Sequence, residues 1–408
     1  MKIQFKYLII LILGVLGVTM TLPSAITLSS TNSLQYEVVL TEVQFGTYDS
    51  TSNSLILLEA SAPVEQTDYG HYLTEGYLIN FSLENQEKRR VLPEKIGSVG
   101  SLIHDISFSA EGDQAIIVSY PESFFLDLRK KKVSPIPQNL QFIGWWGEKP
   151  LFWEYVQGEG IKLKTIDLKN GEEKEISFWL TTTPPSLNFI IDDELVGRLQ
   201  GWEKKDQGTT WLSIDLNSGK RREIKGMPRI SLSGIPYVTP PAAFKGPDEL
   251  SLIIQEEETS QEEPRIWLWR LGQTPQFLFR QRLDSIYWLN SEEFLFSSYR
   301  LAQTEPRDDW MEIGYFNLKD HNGKPLIIGR IPGELGFVDL IAYDRNKSDL
   351  WCSGIFKEII RIHLPLDSHL RQERAFSLPL WFWALTSIIG VILIAALFFL
   401  AKKWRKRS

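Results

Sequence analysis

Between residues 35 and 365 the hydrophobic positions fall in short runs that are separated by polar turns. The runs at 54–59, 114–119 and 250–255 are typical, since each is rich in Leu, Ile or Val and is bounded by turn-forming residues. Such runs indicate β-strands, because β-branched and other large apolar side chains pack well on a pleated sheet. No amphipathic helical pattern of ten residues interrupts them. The sequence therefore predicts an all-β fold.

One sequence pattern recurs along these strands: a strand that ends in Leu, a polar turn and a second short strand. Its anchoring leucines are Leu83, Leu128, Leu168, Leu216, Leu271 and Leu318. They lie 45, 40, 48, 55 and 47 residues apart. Four strands of about five residues and their turns fill a unit of this length, as in one blade of a β-propeller. A double β-sandwich would contain similar hairpins, but six spaced occurrences favour a single propeller.

The repeat units predict seven blades within residues 31–366. They lie near 50–95, 100–138, 139–178, 185–226, 240–280, 281–329 and 334–366. Residues 36–44 belong to no unit of their own, and pairing them into the last blade would close the ring and remove its exposed edges. Six or eight blades stay open as alternatives, because the proline-rich stretch 226–249 blurs one boundary.

One unit resembles a known repeat. Residues 106–118 (ISFSAEGDQAIIV), followed by 124–128 (FFLDL), are similar to the TolB-like β-propeller repeat, in which a Phe-Ser-Pro-Asp-Gly turn joins the two innermost strands. This copy has Ala110 in place of Pro and Glu111 in place of Asp, and the other copies are more degenerate. The resemblance implies the propeller fold but no particular function, because such propellers serve as scaffolds, binding modules and enzyme appendages.

An uncharged stretch near the C-terminus predicts a transmembrane helix. Residues 380–401 include no charged residue over 22 positions, and about 20 helical residues cross the hydrocarbon core of a bilayer. Five Lys or Arg residues follow within residues 402–408, which predicts a cytoplasmic tail. Residues 367–379 are then the linker between the propeller and the helix.

The N-terminal residues 1–30 predict either a signal peptide or an uncleaved signal anchor. An apolar run at 7–22 follows Lys6, and the next Lys or Arg is Lys88, which leaves 81 residues without a positive charge. Such a gap suits the translocated side of a membrane. The sequence leaves cleavage open, so the chain is expected in the cell membrane with one or two spans. The bulk of the chain is extracytoplasmic in either case.

The charge of the chain is unevenly distributed. The formal net charge is −7, and removing the two lysines before residue 7 and the five basic residues after residue 401 leaves −14. An acidic ectodomain argues against nucleic-acid binding through a basic surface. The basic run at 129–132 would face lipid headgroups only if that edge of the ring pointed to the membrane, and a solubilising turn is its default interpretation.

The sequence contains little catalytic chemistry. It has no nucleophile elbow, phosphate-binding loop or HExxH motif, and its five histidines never fall at metal-ligand spacing, so we predict no metal and no cofactor. A single cysteine excludes a disulfide framework. This residue, Cys352, is predicted to be a small buried residue rather than a nucleophile.

The candidate site is the mouth of the central channel. Polar residues just before the innermost strands should converge there, and the candidates are His104, Asp105, Asp284 and Asp339. Carboxylates near a histidine could bind a cation or act in acid–base catalysis. The alternative for each Asp is that it accepts hydrogen bonds from the backbone of its own turn.

The architecture predicts a membrane-anchored, extracytoplasmic protein-interaction or ligand-binding module with a protein partner, for example a subunit of an envelope complex. The alternative is an extracytoplasmic hydrolase, lyase or cyclotransferase. That alternative requires the four candidate residues to surround one pocket within about 10 Å. The binding module is preferred because no catalytic motif is present.

Overall fold

A computed structural model describes twelve segments of the chain. They are 33–67, 70–98, 101–157, 159–167, 171–179, 186–199, 210–228, 243–248, 250–256, 263–300, 309–319 and 324–370. These residues form seven sheets of antiparallel strands around a ring, together with one small separate hairpin. The protein is thus an all-β propeller with seven blades.

The described residues form 31 strands. The first eight are β1 (Tyr36–Thr41), β2 (Val43–Asp49), β3 (Ser54–Ala60), β4 (Glu65–Thr67), β5 (Gly70–Tyr72), β6 (Glu75–Ser82), β7 (Lys88–Arg90) and β8 (Ile96–Gly97). The next eight are β9 (Leu102–Phe108), β10 (Gln114–Tyr120), β11 (Phe124–Asp127), β12 (Lys132–Pro135), β13 (Leu140–Trp146), β14 (Lys149–Val156), β15 (Gly160–Asp167) and β16 (Glu172–Trp179).

The second half of the ring continues the same pattern. Its first eight strands are β17 (Ser186–Ile191), β18 (Glu194–Leu199), β19 (Thr210–Asp215), β20 (Arg221–Ile224), β21 (Ala243–Lys245), β22 (Ser251–Gln255), β23 (Arg265–Arg270) and β24 (Gln276–Arg280). The last seven are β25 (Ser285–Trp288), β26 (Glu293–Arg300), β27 (Trp310–Asn317), β28 (Leu326–Pro332), β29 (Val338–Asp344), β30 (Asp349–Gly354) and β31 (Glu358–His363).

Each blade is a meander whose first strand is innermost. Blade 1 has the order β2-β3-β6-β7, with β8 also paired to β6, and blades 2 to 6 each use four consecutive strands from β9 to β28. Blade 7 has the order β29-β30-β31-β1. The β4–β5 hairpin is inserted between the second and third strands of blade 1.

The N-terminal strand closes the ring. β1 pairs antiparallel with β31, with Tyr36 opposite Ile362, so the predicted closure by the start of the chain is confirmed. The expected boundary of this segment at residue 44 was wrong, because Val43 already begins β2, the innermost strand of blade 1. Glu42 separates the two strands with a φ of 56°, a turn conformation that the apolar pattern did not show.

The core is divided among the contacts between neighbouring blades. Each of the seven apolar clusters of buried residues in the described chain combines side chains from two adjacent blades. Four tryptophans are almost completely buried, namely Trp153, Trp211, Trp269 and Trp351. The aromatic content of the sequence is therefore used mainly to pack sheet against sheet.

The turns between the outer two strands have the expected backbone conformation. Gly171, Gly219 and Gly272 have φ values of 77°, 70° and 75°, which glycine adopts without steric cost. In the equivalent turns of blades 1 and 2, Gln86 and Lys131 have positive φ instead. This explains why the repeat is only partly visible in the sequence.

Both predicted membrane segments lie outside the described residues. Within the part of the chain that the structure describes, no helix is long and apolar enough to cross a bilayer. Residues 366–370 form a helical turn after β31.

The closing ladder can be tested by a disulfide. Glu37 lies opposite Arg361 in the β1–β31 pair, and directly opposed residues have the Cα separation that a disulfide requires. We expect Glu37→Cys with Arg361→Cys to cross-link on oxidation and to raise the free energy of unfolding by up to about 5 kcal/mol. Gel mobility before and after reduction, followed by denaturant unfolding, measures both effects.

The matched control is Glu37→Cys with Glu358→Cys. Glu358 lies opposite Thr41 rather than Glu37, so this pair should not cross-link. Equal cross-linking of both pairs would contradict the register of the closing strand.

Candidate functional site

The innermost strands bring the candidate residues to one end of the channel. We define the upper face as the end of the ring where β9, β25 and β29 begin, and the lower face as the opposite end. Asp284 directly precedes β25 as expected, whereas Asp339 is the second residue of β29 and Asp105 lies inside β9. Two inner strands thus begin earlier than the sequence predicts.

A β-bulge in β9 orients the pair His104–Asp105. Asp105 is opposite Val118, but Ile103 is opposite Ser119, so one residue of β9 is extra in the ladder. His104 and Asp105 are consequently both exposed, although neighbouring residues of a regular strand point to opposite faces. Bulges often redirect side chains in this way beside functional sites.

Asp339 is the carboxylate with the most unusual environment. Burial within the protein raises its pKa to about 6, and the nearby charges of Asp284 and Asp105 act in the same direction. The side chain nevertheless remains accessible to water. A residue that lines a channel combines these two properties, desolvation by the protein and access to water. Among the described residues, no group donates a hydrogen bond to its carboxylate. The arrangement is that of a general acid–base group or of a cation ligand.

The other two carboxylates are partly compensated. Asp105 accepts a hydrogen bond of 2.8 Å from the backbone N–H of Ile106, and Asp284 accepts one of 3.1 Å from Nε of Arg282 and another from the backbone N–H of Tyr299. Although solvent reaches Asp105, the surrounding protein desolvates both carboxyls and still raises their pKa values. The local hydrogen bonds expected from the turn interpretation are therefore present, but they do not cancel the desolvation.

Lys357 is a member of the site that the sequence analysis missed. It ends the β30–β31 turn with a φ of 64°, and its Nζ donates a hydrogen bond of 2.5 Å to Oε1 of Gln44. Burial lowers its pKa, while the charges of Asp105 and Asp339 oppose that change. No sequence signal marks it, because it comes from the turn between the second and third strands of blade 7 rather than from the start of an inner strand.

Aromatic and apolar side chains lie beside His104 and in the turn that leads to Lys357. The rings of His104 and Tyr72 meet edge to face with their centroids 5.0 Å apart, and those of His71 and Phe356 are 5.1 Å apart. Burial and the charge of Lys357 lower the pKa of His104. Ile355 and Phe356 are exposed at the turn before Lys357. Electrostatic influence links Asp105 to His104, and Asp339 to Asp105 and Asp284. Lys357 acts on both Asp105 and Asp339, and it follows the exposed apolar residues of its turn.

Other candidate groups have structural explanations. Cys352 is completely buried as predicted, and burial raises the pKa of its thiol. Carboxylate oxygens of Glu111, Asp113 and Glu148 lie within 4.8 Å of one another on the lower face. Arg129 binds two of these groups, with 2.8 Å contacts to Glu111 and Asp113. This acidic group is therefore already neutralised in part by an arginine.

Comparison with known proteins defines the class by fold alone. No protein-family model matches the chain, and no curated protein sequence is a significant match. Among solved structures, the chain is similar to an oligogalacturonate lyase in complex with manganese, with a TM-score of 0.51, 11% identity, and coverage of 82% of this chain and 99% of the lyase. This similarity shows a β-propeller fold and leaves the activity open.

Two further matches are weaker. An uncharacterized protein from Listeria monocytogenes EGD-e gives a TM-score of 0.48 at 12% identity, with coverage of 80% of this chain and 94% of that protein. TolB from Acinetobacter baumannii gives a TM-score of 0.38 at 11% identity, with coverage of 72% of this chain and 64% of the TolB chain. A TolB is thus among the solved structures that the chain matches.

The raised pKa of Asp339 predicts a pH-dependent stability. The folded state binds the proton of this carboxyl up to pH 6 or so, whereas the unfolded chain releases it near pH 4. Asp339 therefore lowers the free energy of unfolding progressively as the pH rises from about 4 to about 6. We expect Asp339→Asn to be more stable than the native chain at pH 7.5 by about 1 kcal/mol, after allowance for screening by water in the channel.

Denaturant unfolding between pH 4 and pH 7.5 measures this difference. Asp49→Asn is the control of opposite sign, because a hydrogen bond of 2.6 Å from Ser52 lowers the pKa of Asp49. Loss of the Asp49 carboxylate should lower the free energy of unfolding at neutral pH. A native chain whose stability relative to Asp339→Asn does not change across this range would contradict the assignment.

Proposed function

We propose that this protein is a membrane-anchored, extracytoplasmic β-propeller that binds a cationic group of a ligand or protein partner at its channel mouth. One observation carries the proposal. Asp105, Asp339 and Lys357 influence one another electrostatically, yet no ion pair joins Lys357 to either carboxylate among the described residues. Enclosed polar groups normally have hydrogen-bonding partners. The separation of Lys357 from Asp105 and Asp339 therefore leaves room for a ligand or for water.

The charge balance favours a cation. Asp105, Asp284 and Asp339 contribute three carboxylates, and Arg282 is engaged by Asp284 at 3.1 Å. Among the residues that the structure describes, Lys357 is the cation that acts on both Asp105 and Asp339. One lysine for two carboxylates leaves an excess of negative charge at neutral pH. A ligand ammonium or guanidinium group would complete the balance and would supply the missing donor to Asp339.

The rim adds a second kind of contact. Ile355 is 44% exposed and Phe356 is 39% exposed, and both lie in the turn that also presents Lys357. Aromatic and aliphatic anchors beside a polar well are typical of protein-recognition sites. A partner that carries an apolar group next to a basic one would match this surface.

The anchoring part of the proposal is supported by the two uncharged stretches and their flanking charges. Residues 380–401 would form a span with residues 402–408 in the cytoplasm, and residues 1–30 would either be removed or form a second span. The propeller would then work outside the cytoplasm at the cell membrane, for example as a subunit of an envelope complex.

Anchoring predicts different behaviour for the full chain and for a chain that stops after residue 379. The full chain should stay with the membrane pellet after alkaline carbonate extraction, because a spanning helix is not removed by charge disruption. The shortened chain should be released if the leader is cleaved and retained if it is not. Recovery of the full chain in the supernatant would refute the anchor.

The binding part is tested by cross-linking in native membranes. A photoreactive amino acid at Phe356 should capture a specific partner, and capture should fall at least several-fold when Asp339→Asn is added. Phe277 is the matched control, because it is 47% exposed but lies on the outermost strand of blade 5. Equal capture from both positions, or no effect of Asp339→Asn, would contradict binding at the mouth.

An enzyme at the same mouth is the second candidate, and one observation favours it. Asp339, with a pKa of about 6, is matched to proton transfer near neutral pH, and the deprotonated forms of His104 and Lys357 are both favoured by burial. A captured ligand that is recovered chemically changed from the native chain, but unchanged from Asp339→Asn, would distinguish this hydrolase or lyase from a binding module.

A further inference from the structure

The chain leaves the propeller at the lower end of blade 7. The backbone N–H of Leu364 donates a 2.6 Å hydrogen bond to the carbonyl of Ser348, and the hydroxyl of Tyr343 donates one of 2.9 Å to the carbonyl of Leu364. Arg345 and Asp367 form an ion pair of 2.9 Å. These contacts hold the exit segment against the turn between β29 and β30.

The candidate site lies at the other end of the same blade. Asp339 stands near the start of β29 and Asp344 at its end, and Lys357 lies in the turn beside the start of β29, since Val338 pairs with Gly354. Seven strand residues span about 23 Å. The channel mouth and the exit of the chain are therefore on opposite faces of the ring.

The lower face also has an exposed basic turn. Residues 129–131 lie in the turn between β11 and β12, Lys132 begins β12, and all four are exposed. This turn lies at the same end of the ring as the β9–β10 turn, because Arg129 contacts Glu111 across 2.8 Å. The sequence alone left open which way this edge points. Its position places the basic run on the face from which the C-terminal segment departs.

We propose that the lower face is turned toward the bilayer, so that the channel mouth opens into the aqueous compartment and receives its ligand from the aqueous phase rather than from the lipid surface. This inference rests on the membrane anchor of the proposed function. Residues 371–379 provide nine residues between the described propeller and the predicted helix, and a fully extended chain of that length reaches about 30 Å.

The linker length makes the opposite orientation unfavourable. To turn the mouth to the membrane, the linker would have to run along the height of blade 7, about 23 Å, before it could enter the bilayer. The linker would then have to be almost fully extended, and each residue ordered in this way costs conformational entropy. The orientation with the lower face toward the membrane requires no such extension.

Fluorescence quenching in vesicles tests this orientation. A fluorophore is attached to Lys347→Cys on the lower face or to Ile355→Cys at the mouth, both of which are exposed positions. The native Cys352 is completely buried and should not react. The full chain is reconstituted into phosphatidylcholine vesicles with nitroxide-labelled headgroups in both leaflets. We expect several-fold stronger quenching at Lys347→Cys than at Ile355→Cys.

A longer linker is the matched control. A flexible Gly-Ser insertion between residues 372 and 373 should reduce the quenching at Lys347→Cys and leave that at Ile355→Cys low. Equal quenching at both positions, or stronger quenching at Ile355→Cys, overturns the proposed orientation. A chain that does not float with the vesicles refutes the anchor itself and the orientation with it, so flotation separates the two failures.

Discussion

Apolar packing between neighbouring blades is the interaction on which the rest of this structure depends. A single four-stranded blade cannot bury both of its faces, and each of the seven core clusters is completed by side chains from the next blade around the ring. The last of these contacts requires β1, which joins the first part of the chain to the last blade. Closure therefore couples every blade to every other, and it holds the inner strands around one channel.

Closure of the ring places carboxylates from separate blades where they influence one another electrostatically. Asp105, Asp284 and Asp339 come from three different blades. Desolvation disfavours the ionisation of all three, and the charges of Asp284 and Asp105 add to this effect at Asp339. Asp284 is compensated by Arg282 at 3.1 Å, whereas Lys357 is the cation that acts on Asp339 among the described residues and forms no ion pair with it there. The free energy of blade packing offsets this unfavourable arrangement. The two carboxylates therefore differ in how far a neighbouring cation compensates their charge.

Sequence reasoning succeeded where local chemistry repeats and failed where the fold deviates from the repeat. The spacing of Leu83, Leu128 and their equivalents predicted the blades, because each unit must bury the same strand positions. The bulge at His104 and the turn at Glu42 were missed, since an extra ladder residue or a positive φ at a non-glycine residue leaves no trace in an apolar pattern. Lys357 was missed because a lysine in a turn is ordinarily a solvated residue.

The sequence by itself determined the all-β class, the closing role of the N-terminal strand and the polar residues near the starts of three inner strands. These features follow from short apolar runs, turn chemistry and the spacing of the repeat, which can be read from the chain without its tertiary contacts. Only the tertiary structure decided that carboxylates from three blades influence one another, that Lys357 joins them, and that the chain departs from the opposite face. Those relations join positions separated by up to about 250 residues, and their energies depend on distance and desolvation, which exist only after the ring has closed.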